Sequence, residues 1–183
     1  MATLPIADRF VSEEEYLSHC YEPDCDYDDG LIVGRNVGEF DHSFLQTILS
    51  SVFTANMDIW AVYALTEQRV CIAPRKYRIP DVCVLRLEAP VEDILTHPPL
   101  IAIEILSSED CLRRVERKAF EFCAFGVPEV WVIDPRKRRA YRCTEDGLAE
   151  VEGGVMSVPG TPILVRVQEL FEKLDHMRAR SGK

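Results

Sequence analysis

Leu100–Pro135 reads LIAIEILSSEDCLRRVERKAFEFCAFGVPEVWVIDP. Its opening, Leu100 to Leu106, is a near-continuous apolar run, the pattern of a strand covered on both faces. Side chains alternate along such a strand, so Ile101, Ile103 and Ile105 share one face while Ala102, Glu104 and Leu106 share the other. Ser107 and Ser108 make a turn that can cap a helix from about Glu109 to Ala124. Within that helix Cys111, Val115, Lys118 and Phe122 fall in an arc of roughly 60°, which sets Lys118 at the edge of the buried stripe. Gly126 ends the helix, with Pro128 just beyond. Glu129 to Asp134 (EVWVID) is a second buried strand, stopped by Pro135. The unit is strand, helix, strand. It puts one carboxylate and one ammonium on core-facing positions, and a buried charge is costly unless paired.

Outward from this unit the chain supplies the rest of an α+β fold. Ser12-Glu13-Glu14-Glu15 has the form of a capping box opening a short helix that ends by Cys20. Asp24 to Asn36 reads as a hairpin turning at Asp28-Asp29-Gly30, with Asp26 on its first arm. Asp41 is the predicted N-cap of a helix over about 42–55, where Phe44, Leu45, Ile48, Leu49, Val52 and Phe53 recur at helical spacing. His42 lies in its first turn; a lone histidine there is more often surface or core than functional. Ile59 to Ala64 and Gln68 to Ile72 read as strands. In Ile79 to Leu85, Pro80 is barred from a central ladder position, so Asp81 marks the entry to a buried strand. Ala140 to Cys143 is predicted to pair as an outer strand, and Asp146-Gly147 turns into Leu148 to Val151. Ile163 to Val167 and Gln168 to Arg180 read as a last strand and a last helix. The sum is a mixed central sheet of five or six strands flanked by helices (α/β/α-like), with a strand–helix–strand crossover at 100–134.

The bulk properties limit what such a chain can be. Its 183 residues suit one domain, 1–183, with length enough for a proper core. No apolar run approaches the ~20 residues of a membrane helix, and the start lacks a signal-peptide pattern; the expected setting is cytoplasmic. The seven cysteines are odd in number and lack a C-x-x-C pair, so buried free thiols are expected rather than zinc ligands. The net charge of −10 argues against a general nucleic-acid coating protein. It is uneven, however: residues 1–30 carry −8, and the remainder only −2. Arg75, Lys76 and Arg78, then Arg113, Arg114, Arg117 and Lys118, then Arg136 to Arg139 and Arg142 form basic clusters. Each taken singly reads as solvated surface; together they permit a basic groove.

Asp81 and Glu104 occupy successive core strands, and neighbouring strands lie ~4.8 Å apart. Two carboxylates brought together there repel unless a cation bridges them. Mg²⁺, with Mn²⁺ as a substitute, prefers such oxygen ligands and retains waters. It could bind a phosphate oxygen and lower the pKa of an attacking water, and Lys118 could stabilise the charge that develops. No organic cofactor is called for.

Pro80-Asp81-Val82, Glu104-Ile105-Leu106-Ser107, Lys118 and the run Gly126 to Pro135 together resemble the Uma-type putative restriction endonuclease family, within the PD-(D/E)XK nuclease superfamily. The resemblance spans roughly 12–172 and takes in Glu15-Tyr16-Leu17, Asp29-Gly30, His42 and the segment from Gly160 to Phe171. It implies a restriction-endonuclease-like core in which Asp81, Glu104 and the main-chain carbonyl of Ile105 hold Mg²⁺ and Lys118 is the catalytic lysine. Asp81 and Glu104 count with Lys118 as the catalytic set. In the superfamily the lysine commonly sits two residues after the second acid. Here that position is Leu106, and Lys118 matches a lysine migrated to the next helix. Asp26, where the family usually has Glu, and His42 are additional candidate site residues. The chain departs from the family pattern at Ser108 (usually Pro), Arg114 (commonly acidic), Phe122 (usually Tyr) and Val130 (Tyr expected).

The implied activity is metal-dependent hydrolysis of DNA phosphodiester bonds, carried out by a homodimer, since cutting both strands usually takes two sites. Two other readings stand beside it. One is a catalytically inactive protein that keeps the fold as a binding or assembly module. The other is an unrelated α+β protein in which Glu104 pairs with an arginine and Lys118 snorkels.

Overall fold

A computed structural model describes residues 10–22, 24–35, 39–108, 110 and 112–180. Glu109, Cys111 and Asn36, to which the sequence assigns places in a helix and a hairpin, lie outside the described residues.

The first half of the chain runs α1 (Glu13–Ser18), β1 (Cys25–Asp28), β2 (Leu31–Gly34), α2 (Phe40–Ala55), α3 (Met57–Trp60), β3 (Val62–Thr66), β4 (Val70–Ala73), β5 (Lys76–Arg78) and β6 (Val82–Arg86). The second half runs β7 (Ile101–Ile105), α4 (Leu112–Phe125), β8 (Glu129–Asp134), β9 (Arg139–Thr144), β10 (Gly147–Glu150), β11 (Val155–Ser157), β12 (Leu164–Arg166) and α5 (Val167–Arg180). The central sheet has six strands in the order β10-β9-β8-β7-β6-β3. Only β7 and β8 are parallel, joined by the α4 crossover; the other neighbours are antiparallel. The fold is α+β with a mixed sheet, as the hydrophobic patterning predicts.

The alternation read in β7 sorts the core. Ile101, Ile103 and Ile105 pack with Leu45, Leu49 and Phe53 of α2 and Leu170, Phe171 and Leu174 of α5. Ala102 and Leu106 face the other way, onto Val115, Ala119 and Phe122 of α4. Glu104 lies on that second face, the one α4 covers. A smaller four-stranded sheet, β2-β1-β5-β4, adjoins the first. Its core is Tyr16, Tyr27 and Tyr77 with Val11, Cys25 and Ile32, and Tyr16 and Tyr27 stack with ring centroids 4.7 Å apart. The hairpin turn has Asp29 and Gly30 at φ 44° and 99°, the left-handed pair a two-residue hairpin requires.

Several boundaries differ from the sequence reading. Ser12 does cap α1, accepting from the Glu15 amide. For α2 the N-cap is Glu39, not Asp41, which lies inside the first turn and pairs with Arg178 at 2.7 Å. The predicted strand over 59–64 begins three residues later, because Met57–Trp60 makes a helical turn closed by Ala61 at φ 52°. Ile59 is consequently 73% exposed: β-branched residues fit a strand only where a pleated surface waits to be covered. Strands β5 and β11 carry no sequence signal strong enough to be read. Of the described cysteines, Cys25, Cys83 and Cys143 are buried, Cys71 and Cys123 are half-buried, and Cys20 is exposed.

Candidate active site

Strands β6 and β7 pair antiparallel with Val82 opposite Ile103. Continuing that register by one residue sets Asp81 opposite Glu104, where directly paired side chains stand ~5 Å apart. Pro80 stops the ladder and Asp81 bends out at its end, held by its own carbonyl, which accepts from Gln46 Nε2 (2.9 Å) and the Glu67 amide (3.2 Å). Its carboxylate reaches back across the sheet. Oδ2 accepts the Ile105 amide at 2.7 Å and lies 3.2 Å from His42 Nε2. Oδ1 accepts Arg35 Nη2 at 2.7 Å.

Glu104 is met from above by α4. Lys118 Nζ stands 2.9 Å from Oε1 and donates to Oε2 at 3.1 Å and to the Ile79 carbonyl at 2.8 Å. The ammonium therefore faces inward. Asp26, brought by β1, accepts the Ile79 amide on Oδ1 at 2.9 Å and places Oδ2 3.8 Å from Lys118 Nζ. Asp26, His42, Asp81, Glu104, Ile105 and Lys118 all border one cleft, together with Arg35, Ser107, Asp110 and Arg114. Its free volume of about 50 Å³ is room for a few water-sized bodies.

Three carboxylates this deeply buried need cations nearby. Burial pushes Asp81 up, but His42, Arg35 and Lys118 more than offset it and hold the carboxyl below its usual range. Burial lowers His42, and the Asp81 carboxylate outweighs that, drawing the imidazole above its ordinary value. Glu104 is different: burial dominates and pushes it up to about 7, against the pull of Lys118. Although Lys118 lies close, Glu104 Oε1 receives no hydrogen bond, and neither does His42 Nδ1. Among the described residues no group of three or more His, Cys, Asp or Glu side chains is disposed to hold a metal ion. A cation in the cleft would meet the Asp81 and Glu104 carboxylates, with water for the rest. That suits a hard ion such as Mg²⁺, which keeps several waters, and does not suit a zinc-type cage.

The model of the Uma2 family, described as a putative restriction endonuclease, matches residues 13–170. The chain belongs to that family. Among solved structures, a putative nuclease belonging to DUF820 from Anabaena variabilis ATCC 29413 superposes with a TM-score of 0.75 at 21% identity, covering 90% of this chain and 99% of that one. At that identity the likeness carries the fold alone. A comparison with curated proteins finds no match.

Family membership removes the reading of an unrelated α+β protein. Glu104 pairs with a lysine rather than an arginine, and Lys118 turns into the cleft instead of snorkelling. Arg114, at the position the family commonly fills with an acid, borders the cleft and donates to the Gly34 carbonyl. The sequence reading missed Arg35. Nothing in its neighbours' spacing marks it, since it follows the last residue of an edge strand, where neither helical nor strand periodicity applies.

Proposed function

We propose that this chain is a divalent-metal-dependent endonuclease that hydrolyses phosphodiester bonds of DNA. The observation that carries the reading is the convergence of Asp81, Glu104 and Lys118, from three separate elements, on one small cleft in a member of a putative restriction endonuclease family. In this reading Asp81, Glu104 and the Ile105 carbonyl hold Mg²⁺ or Mn²⁺. The bound ion supplies Lewis acidity to a phosphate oxygen and lowers the pKa of the attacking water.

The chain's own residues do the rest. Lys118 is pinned by the Ile79 carbonyl and by Glu104, so its charge is already aimed where negative charge grows on the phosphate and needs no reorganisation. Asp26 backs the ammonium and fixes the Ile79 amide. His42 and the Ile105 amide hold the Asp81 carboxylate in one orientation. Water adds to phosphorus and the ester P–O bond breaks, leaving a hydroxyl end and a phosphate end. Arg113, Arg114 and Arg117 crowd the start of α4 and are exposed, a surface suited to the phosphates of the duplex. The whole chain acts as one nuclease unit, and two copies supply the two cuts of a duplex.

Supercoiled plasmid incubated with Mg²⁺ is expected to be nicked and linearised by the wild type, and not by Glu104→Ala prepared in parallel. Equal cleavage by both proteins would trace the activity to a contaminant and sink the reading.

A further inference from the structure

Both Asp81 oxygens are already spent within the protein. Oδ2 is shared by the Ile105 amide and His42, two groups fixed by β7 and by α2. Oδ1 is taken by Arg35 at 2.7 Å. Asp81 is 4% exposed, and the Arg35 side chain 13%, so the pair is largely out of solvent and the attraction is little screened. A cation that binds Asp81 must therefore meet Arg35 first. Two of the cleft's cations, Lys118 and Arg35, are not held alike. Lys118 is anchored by a main-chain carbonyl and by Glu104. For the Arg35 guanidinium the anchor is Asp81 Oδ1, and its stem leaves the chain just past the end of an edge strand. Among the described residues, withdrawing Arg35 breaks its hydrogen bond to Asp81 and weakens the longer-range attraction of Glu104, Asp26 and Glu67, and what moves is a long, flexible side chain.

Resting on the metal reading above, we propose that Arg35 is a built-in competitor of the divalent ion. It neutralises Asp81 in the metal-free protein and yields Oδ1 when the ion enters. The competition has two consequences. The metal-free fold keeps two facing carboxylates without an ion between them, because Arg35 and Lys118 each cover one. Metal affinity is set lower than the oxygen donors alone would give, because each binding event first breaks a charge-assisted hydrogen bond.

The test is calorimetric titration of Mn²⁺ alone into the full chain as wild type, Arg35→Met, Arg35→Lys and Asp81→Asn, with thermal unfolding of each in the presence of chelator. Methionine keeps the stem and removes the charge. Arg35→Met is expected to bind Mn²⁺ about tenfold or more tightly than wild type, the scale of one such hydrogen bond, and to melt at a lower temperature in chelator. Arg35→Lys, which retains the charge, is expected to stay near wild type in both, and serves should the methionine variant not fold. Arg35→Met binding no more tightly than wild type, with binding abolished in Asp81→Asn, would overturn the inference and leave the metal reading standing. Mn²⁺ binding that persists in Asp81→Asn, or no binding by wild type and Arg35→Met alike, would overturn both.

Discussion

The side chains that matter most in this molecule are charges placed where charge is expensive. Asp26, Asp81 and Glu104 are each no more than 6% exposed. Two of them are satisfied within the protein, while burial pushes Glu104 towards its neutral form. A second buried cluster, away from the cleft, shows the opposite case. Arg78, 3% exposed, donates to Glu121, to Asp28 and to the Tyr27 and Tyr77 carbonyls. Burial pushes Glu121 upward, but Arg78 and Lys76 outweigh it and hold its carboxyl below the ordinary range; Asp28 is held down by the same two cations. A depressed native pKa means that the unfolded chain binds protons more readily, so stability rises with pH through this region. The stabilisation is complete above the ordinary carboxylate range near 4.3 and is lost as the pH falls through the depressed values. Glu121→Gln is expected to flatten the acid limb of stability without abolishing it, since Asp28 remains. Urea midpoints measured from pH 6 down to pH 3 check this, and an unchanged slope would mean that the cluster is not coupled to folding.

At the scale of elements, four pieces deliver the cleft: the β6–β7 pair, helix α4, the start of α2 with His42, and the small sheet, which brings Asp26 on β1 and Arg35 after β2. The β6–β7 register follows from patterning, because a one-residue slip would turn Ile101, Ile103 and Ile105 away from α2 and α5. Helix α4 must then stop where β8 can return parallel to β7. Gly126 does this at φ 101°, with its amide donating to the Cys123 carbonyl and the Val127 amide to the Phe122 carbonyl, a Schellman-type closure. Gly126→Ala would force a Cβ into left-handed backbone 3.4 Å from Pro98 Cγ. The expected loss is about 1–2 kcal/mol of stability, read as a lower denaturant midpoint at unchanged slope. The small sheet is tied to α4 by Arg78 and Lys76 through Glu121, which fixes the distance between Asp26 and Lys118. Sequence patterning locates most of these elements and misplaces their ends where a local rule has two solutions. Asp41 is the better cap by residue type, yet α2 starts after Glu39, which makes no side-chain cap hydrogen bond, while Asp41 pairs with Arg178 of α5.

For the whole molecule, charge and symmetry set the expectations. Two of the basic clusters are largely consumed internally: Arg138 pairs with Asp175, Arg139 with Glu150 and Arg142 with Glu129, while Arg75 pairs with Asp29 and Lys76 and Arg78 with Glu121. Of the exposed arginines at the start of α4, Arg114 borders the cleft, on an otherwise acidic protein. A concerted cut through both strands usually takes two such clefts on one duplex, so the chain is expected to be a dimer in solution. Light scattering coupled to size exclusion should give twice the 20.9 kDa chain mass. A monomer at the concentrations that cleave plasmid would show that the two nicks are made independently. No helix among the described residues is long and apolar enough to cross a membrane.

What the sequence determines by itself is the strand–helix–strand unit at 100–134, the faces of its strands, and the presence of Asp81, Glu104 and Lys118 on core-facing positions. These follow from local periodicity, which depends only on the spacing of apolar residues. What the tertiary structure decides is which charges meet. Arg35 reaches Asp81 across 46 residues of chain and Asp26 meets the Ile79 amide across 53. No periodic signal records such pairings, because they arise where elements end and two sheets adjoin. The sequence names the acids and the lysine; the β6–β7 register and the seat of α4 bring Asp81, Glu104 and Lys118 to one cleft, and the small sheet adds Asp26 and places Arg35 on Asp81.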